Sequence, residues 1–180
     1  MAAVSSYAQT GNYDWNSFSG NPSSSTGVVR DASNNPLNGA TFFAQVWGGT
    51  VNNTGTFTAQ SEVYSFSINT AAGASSYGQI LSGQEVSPNM NTGDTMFFVI
   101  NAWNATAGST WLQALGSTTA GAQRGSSTVS SLILASSIAI PQPEAGNFAS
   151  FSMTAVAVPE PSTIVLGALG LVGLFLRRRT

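Results

Sequence analysis

The chain of 180 residues has no cysteine, no histidine and no lysine, and charged residues make up only 7% of it. Without cysteine it has no disulfides, no thiolate nucleophile and no sulfur ligands for a metal. Without histidine it has no Ser-His-Asp or Cys-His machinery and no His-ligated zinc. These absences remove most hydrolase mechanisms. We therefore expect a non-enzymatic protein with no cofactor and no metal site.

Positive charge is concentrated at one end of the chain. Three of the five arginines occupy positions 177–179, which leaves Arg30 and Arg124 in the first 176 residues. Two arginines cannot build the basic surface that phosphate-driven nucleic-acid binding needs. We therefore expect no nucleic-acid partner.

The first 15 residues lack the basic and apolar regions of a signal peptide. Since other features given below indicate export, we expect that a signal peptide has been removed from the natural precursor.

Short apolar segments separated by Gly, Asn, Pro and Ser clusters follow one another from residue 28 onward. This pattern is typical of an antiparallel all-β domain. It predicts a single β-sandwich, jelly-roll-like or immunoglobulin-like, followed by a short C-terminal hydrophobic helix. The predicted organisation is an irregular arm or first strand over 1–26, the β-sandwich over 27–157 and a tail over 158–180.

Two segments carry apolar residues on both faces. The first, 41–47, is predicted to be covered on two sides or to lie at a sheet corner. Residues 41–47 place Phe42 on one face and Trp47 on the other, and residues 95–103 are apolar throughout. The second segment is predicted to be a central strand. Further strands are predicted at 62–68, 110–115, 127–134 and 147–158.

Candidate catalytic and metal-binding residues are few. The six carboxylates before the tail show no spacing that indicates the facing pair of a glycosidase. Asp31 with Asn34, Asn35 and Asn38 offers oxygen ligands for calcium, but turn formation explains the same residues. We predict no catalytic residue.

Tryptophans raise the question of sugar binding, because an exposed indole stacks on a sugar ring. Trp15 and Trp47 are the candidates. The alternative is packing in the sheet, which is the usual role of aromatic residues in strands and is favoured for Trp47 and Trp103.

The tail has three consecutive parts. Pro159 and Pro161 hold Glu160 in an extended conformation. Residues 164–176 carry no charge, and as a helix they would span about 20 Å, less than the hydrocarbon core of about 30 Å. The arginines at 177–179 are typical of the cytoplasmic side of a membrane.

These three parts, in this order at the end of the chain, resemble the PEP-CTERM sorting signal of Gram-negative bacteria. The resemblance covers about 23 residues and implies the following roles. The sorting motif comprises Val158, Pro159, Glu160, Pro161 and Ser162. The membrane segment includes Ile164, Leu166, Leu169, Leu171, Leu174, Phe175 and Leu176. The cytoplasmic stop comprises Arg177, Arg178 and Arg179.

The resemblance implies a route rather than an activity. A protein of this kind is exported, pauses in the inner membrane through its tail and is processed by an exosortase, a membrane transpeptidase. The expected destination is the cell surface or an extracellular matrix of biofilm and exopolysaccharide. We expect a structural protein there, with self-assembly or exopolysaccharide as its partner. The alternative is a carbohydrate-binding or adhesion module that acts on the cell's own polysaccharide.

Overall fold

A computed structural model describes residues 11, 13–15, 27–66, 84–86, 90–136, 145 and 148–157. For 13–15 and 84–86 only the backbone is described. The strands are β1 (Tyr13–Trp15), β2 (Val29–Arg30), β3 (Phe42–Gly49), β4 (Thr58–Ala59), β5 (Tyr64–Ser65), β6 (Gln84–Val86), β7 (Thr95–Asn104), β8 (Gln123–Ser126), β9 (Ser130–Ile133), β10 (Phe151–Ser152) and β11 (Thr154–Ala155). The helices are α1 (Trp111–Gly116) and two 3-10 turns, Thr54–Thr56 and Ala105–Ala107.

The main sheet has seven strands in the order β11-β8-β7-β3-β4, with β5 also on β3 and β9 also on β7. All of its pairings are antiparallel. The two longest strands, β3 and β7, pair over eight residues, from Phe42 opposite Asn104 to Gly49 opposite Phe97. The prediction of an antiparallel, β-rich protein with 95–103 as a central strand is confirmed.

Alternation along β3 and β7 gives the main sheet two faces. We call the face that carries Ala44, Val46, Phe98 and Ile100 the covered face. These side chains are fully buried in the larger of two hydrophobic clusters. Residues from outside the main sheet complete this cluster: Val29, Leu37, Phe148 and Met153.

The opposite face, which we call the open face, carries a smaller cluster. It comprises Trp103 from β7 with Ala107, Trp111, Ala114 and Ala122, and Phe43 and Trp47 of β3 pack against it. The Trp103 ring lies 5.9 Å from that of Trp111, centroid to centroid. The prediction that residues 41–47 are packed on both sides is therefore confirmed.

The strand predicted at 110–115 is wrong, because this segment forms α1. The hydroxyl of Thr110 accepts a hydrogen bond from the backbone N–H of Gln113 (3.3 Å), which caps the first turn. Trp111 and Ala114 are three residues apart, so a helix buries both on one side, whereas a strand would direct them to opposite faces. Thr110 and Gln113 match the capping-box pattern that marks a helix start.

The segment predicted as one strand over 147–158 forms two short strands. β10 pairs with β2 in parallel, and β11 joins the edge of the main sheet beside β8. Met153 separates them and is buried in the larger cluster. Between β10 and β11 the chain therefore passes from one sheet to the other.

The type of sandwich is not decided by these pairings and stays a prediction. The predicted C-terminal helix lies outside the described residues. Within the ranges that are described, no helix is long and apolar enough to cross a membrane.

Candidate functional sites: the tail junction and the groove on the open face

The folded part of the chain is held by hydrogen bonds up to residue 156. The backbone N–H of Val156 donates to the carbonyl oxygen of Ala122 (2.8 Å), and the Val156 side chain packs against the smaller cluster. Two residues earlier, the hydroxyl of Thr154 donates to the carbonyl oxygen of Arg124 (3.3 Å). The point at which the tail leaves the sheet is therefore fixed beside α1 and the residues that precede β8.

The segment before this point is tied to an early part of the chain. The N–H of Phe151 donates to Val28 O (3.1 Å), and that of Met153 donates to Arg30 O (2.8 Å). Gly125 of β8 allows a close approach here, since a Cβ on it would lie 3.0 Å from the Cα of Met153. The end of the folded chain is thus anchored on both sheets.

The predicted sorting motif, membrane segment and cytoplasmic stop, residues 158–162, 164–176 and 177–179, lie outside the described residues. Their roles stay predictions of the sequence.

A groove of about 570 Å³ lies on the open face where α1 does not cover it. Its floor is formed by β3, β7 and β8, and its walls are α1, the first 3-10 turn and the residues after β8. Its aromatic lining consists of Trp47, Phe57 and Trp111, and its polar lining of Thr54, Asn101, Ser126, Ser127 and Thr128. No charged residue lines it among the described positions.

Asn101 is the polar centre of the groove floor. Its side chain is only 3% exposed, and its Oδ1 accepts a hydrogen bond from the hydroxyl of Ser126 (2.6 Å). Among the hydrogen bonds of the described residues, none is donated by its Nδ2. A buried amide with unused donors favours a polar ligand atom at this point.

Trp47, one of the two predicted sugar-stacking residues, does line the groove. Its Nε1 donates to Gln45 Oε1 (2.7 Å), which fixes the half-buried indole in one orientation. The side chain of Trp15, the other candidate, lies outside the described residues, so the two are not shown together. Trp103 is completely buried and donates from its Nε1 to Gly108 O (3.0 Å), which confirms its predicted packing role.

Sequence reasoning missed Asn101 and Trp111 as groove residues. Trp111 was assigned to a strand, and only its helical turn brings it to the wall of the groove. No sequence pattern indicated that Asn101 lines a site, because it lies within an apolar segment that predicts only a buried strand.

Two of the described carboxylates, those of Asp31 and Asp94, accept hydrogen bonds within turns. Asp31 Oδ1 accepts hydrogen bonds from the N–H groups of Ser33 and Asn35, both at 2.8 Å. Asp94 Oδ2 accepts one from the N–H of Asn91 (2.9 Å). The described residues contain no group of three or more acidic side chains that could hold a metal ion.

The pKa of Tyr64 departs from its ordinary value. Burial against the larger cluster raises the pKa of its phenol above 10.0, and the nearby negative charge of Glu62 raises it further. Tyr64 does not line the groove and serves the core.

In the comparison with protein families, residues 157–179 match the PEP-CTERM protein-sorting motif. No curated protein and no solved structure gives a significant match to the chain. The matched segment begins at the residue directly after Val156, the last residue with a backbone hydrogen bond in the described part of the chain.

Proposed function

We propose that this protein is a non-enzymatic structural component of the cell surface or extracellular matrix. The proposal rests on the PEP-CTERM exosortase-sorting signal at 157–179. That signal marks an exported protein that is transiently anchored in a membrane before an exosortase processes it. The destination and the structural role are our proposal.

The tail junction is the observation that supports this proposal. The sheet is hydrogen-bonded through Val156, and the matched motif starts at residue 157. No spacer separates the folded part from the signal. Processing within 158–162 would release a folded domain that keeps all of the described strands, as expected for a domain that acts after delivery.

The groove adds support for a non-enzymatic role. Its described lining has hydroxyl and amide groups but no carboxylate, and the chain has no histidine. A general base that operates near neutral pH is usually one of these two groups.

The sorting step is tested with Glu160→Ala and with removal of Arg177–Arg179, each in the full precursor. We expect Glu160→Ala to leave the protein in the inner-membrane fraction, and removal of the arginines to weaken its anchoring in that membrane. Each change should lower the amount of protein at the surface to background. Glu62→Ala is the matched control, because Glu62 is an exposed carboxylate outside the motif. Unchanged surface delivery of the tail variants would contradict the sorting role.

The structural role is tested on protein recovered from the matrix of the producing cells. Mass spectrometry should find a C-terminus between residues 157 and 162. The same material should form assemblies without added ligand. A monomeric protein that remains in the culture medium would contradict a structural role in the matrix.

A second function, carbohydrate binding, is favoured by the pairing of Trp47 with Asn101 in one groove. An indole offers a flat apolar surface to a sugar ring, and the Asn101 amide offers donors to a hydroxyl. The ligand would be the neutral part of the cell's own exopolysaccharide, because the described groove lining carries no charge.

This alternative is tested by binding of purified exopolysaccharide to the Trp47→Ala and Asn101→Ala variants. We expect each to weaken binding about tenfold, which corresponds to roughly 1.4 kcal/mol. Ile133→Ala is the control, because Ile133 is exposed but does not line the groove. Equal binding by all three variants would exclude the groove as the sugar site.

A further inference from the structure

α1 carries exposed as well as buried apolar side chains. Trp111 and Ala114 are buried in the smaller cluster, whereas Leu112 is 66% exposed and Leu115, which also lines the groove, is 49% exposed. Two leucines this exposed on a helix of six residues form an apolar surface at one end of the sheet. We call Leu112 and Leu115 the α1 leucines.

The α1 leucines lie at the end of the molecule from which the tail departs. Val156 packs against the same cluster as Trp111 and Ala114, and its N–H is bonded to Ala122. Seven residues, 157–163, connect this point to the apolar segment at 164–176. Fully extended, the eight Cα–Cα steps from 156 to 164 reach at most about 29 Å. A membrane that held 164–176 would therefore lie within that distance of the tail exit.

The chain segment that contains α1 carries no formal charge over a long stretch. No charged residue occurs between Asp94 and Arg124 in the sequence. The guanidinium of Arg124 contacts α1 at its C-terminal end, where Nη1 donates to the carbonyl oxygens of Ala114 and Ser117. The exposed leucines themselves form an apolar patch, and such patches mark sites that contact a membrane or another protein.

We propose that α1 is a membrane-contact helix of the anchored precursor and that Leu112 and Leu115 enter the lipid headgroup region. This inference rests on the membrane anchoring that belongs to the proposed function. Two leucine side chains alone provide only weak membrane affinity. The tail supplies the rest, because a short tether keeps the local concentration of the surface high.

The contact would orient the protein while it waits for processing. With α1 on the membrane, the junction at 156–157 faces the bilayer, and residues 158–162 are held near its surface. Removal of the tail also removes the tether, so the weak contact is lost and the folded domain leaves the membrane. In this proposal, the contact of α1 with the membrane presents the sorting motif to the exosortase. Because the contact is weak, it also allows the processed domain to leave the membrane.

The experiment uses the full chain reconstituted in vesicles of phosphatidylethanolamine and phosphatidylglycerol that contain a nitroxide-headgroup lipid. Since the chain has no cysteine, a fluorophore can be placed at one position, Gln113→Cys on α1 or Ser131→Cys on β9. Both positions are exposed. Ser131 lies opposite Phe97, six positions along β7 from Trp103 and thus about 20 Å away. We expect fluorescence at 113 to be quenched at least twice as strongly as at 131.

Two variants test the role of the leucines. The double change Leu112→Ser and Leu115→Ser should lower quenching at 113 to the level seen at 131, whereas Ile133→Ser should not change it. Ile133 is 65% exposed and is the matched apolar control. Leu115→Trp should strengthen quenching, which keeps the test valid if the double variant proves unstable.

The outcomes separate the two proposals. Vesicles that float with the protein bound but quench both positions equally would overturn the α1 contact and leave the anchoring intact. Protein that does not float with the vesicles would overturn the anchoring and, with it, this inference.

Discussion

The covered and open faces of the main sheet are built from alternating residues of the same two strands, yet they differ in almost every physical respect. On the covered face, Val46 and Ile100 are fully buried and join a cluster that includes residues from both ends of the described chain. On the open face, Trp47 and Val99 lie opposite each other and border a groove. A single residue step along β3 or β7 moves a side chain from one environment to the other.

The two faces of the sheet therefore have different roles: the covered face stabilises the fold, and the open face carries the candidate sites. The covered face joins β2, β10 and the residues after β9 to the main sheet, so its packing fixes the fold. Among the described residues, the open face is covered by α1 and its neighbours around Trp103. The groove that remains is the site of the proposed ligand binding, and the exposed leucines of α1 are the site of the proposed membrane contact.

The sharpest test of this contrast is a matched pair of truncations, Val46→Ala and Val99→Ala, in the full chain. Val46→Ala leaves a closed cavity, and we expect a loss of about 2–3 kcal/mol in the free energy of unfolding. Val99→Ala opens into the groove, where water or neighbouring side chains adjust, and we expect about 1 kcal/mol. Denaturant titration followed by tryptophan fluorescence measures both. Equal losses would show that the groove is closed in solution.

The adjacent residues Gly48 and Gly49 provide a second test. It measures how much space each face leaves for an added Cβ atom, rather than how much apolar surface is buried. A Cβ at Gly48, on the covered face, would lie 2.6 Å from the carbonyl oxygen of Phe97, whereas at Gly49 the nearest atom would be 3.7 Å away, in Phe57. We expect Gly48→Ala to cost about 1–2 kcal/mol and Gly49→Ala to be close to neutral. Thermal unfolding of the two variants measures the difference. A tolerated Gly48→Ala would contradict the tight pairing of β3 with β7.

The smallest expected effect concerns alkaline pH. The pKa of Tyr64 is raised, mainly by burial against the covered-face cluster and further by Glu62. The neutral phenol is therefore favoured in the folded state. Its contribution to stability is complete below the ordinary pKa of 10.0 and is lost as the pH rises through the raised value.

Tyr64→Phe should accordingly flatten the fall in stability between about pH 9 and pH 11. Unfolding curves at several pH values measure the slope, and Glu62→Gln should flatten it by a smaller amount, since Glu62 is the lesser cause. An unchanged slope in Tyr64→Phe would show that Tyr64 is not protected from solvent.

Much of the fold was predictable because the signals are local. The antiparallel β character and the central position of 95–103 follow from apolar segments and turn residues that act over a few positions. The helix at 110–115 was missed although Thr110 and Gln113 form a recognisable cap. Over so short a segment, the apolar residues between them fit the period of a helix as well as that of a strand. The cap was therefore the feature that distinguished the two.

The candidate sites divide in the same way. The sorting tail could be identified from the sequence because its parts follow one another along the chain. The groove could not, because Trp47, Asn101 and Trp111 come from three different elements. Trp47 was singled out for its side-chain chemistry, but its partners depend on strand register and on the turn of α1.

The sequence by itself determined the destination signal, the class of fold and the exclusion of histidine- and cysteine-based chemistry, since each depends on composition or on neighbouring residues. Only the tertiary structure decided which residues share a face, where the groove lies and that the tail leaves the sheet beside α1. These features depend on long-range pairing, such as that of Val156 with Ala122 and of Asn101 with Ser126. Pairing of this kind is set by the packing of the whole domain rather than by any local pattern.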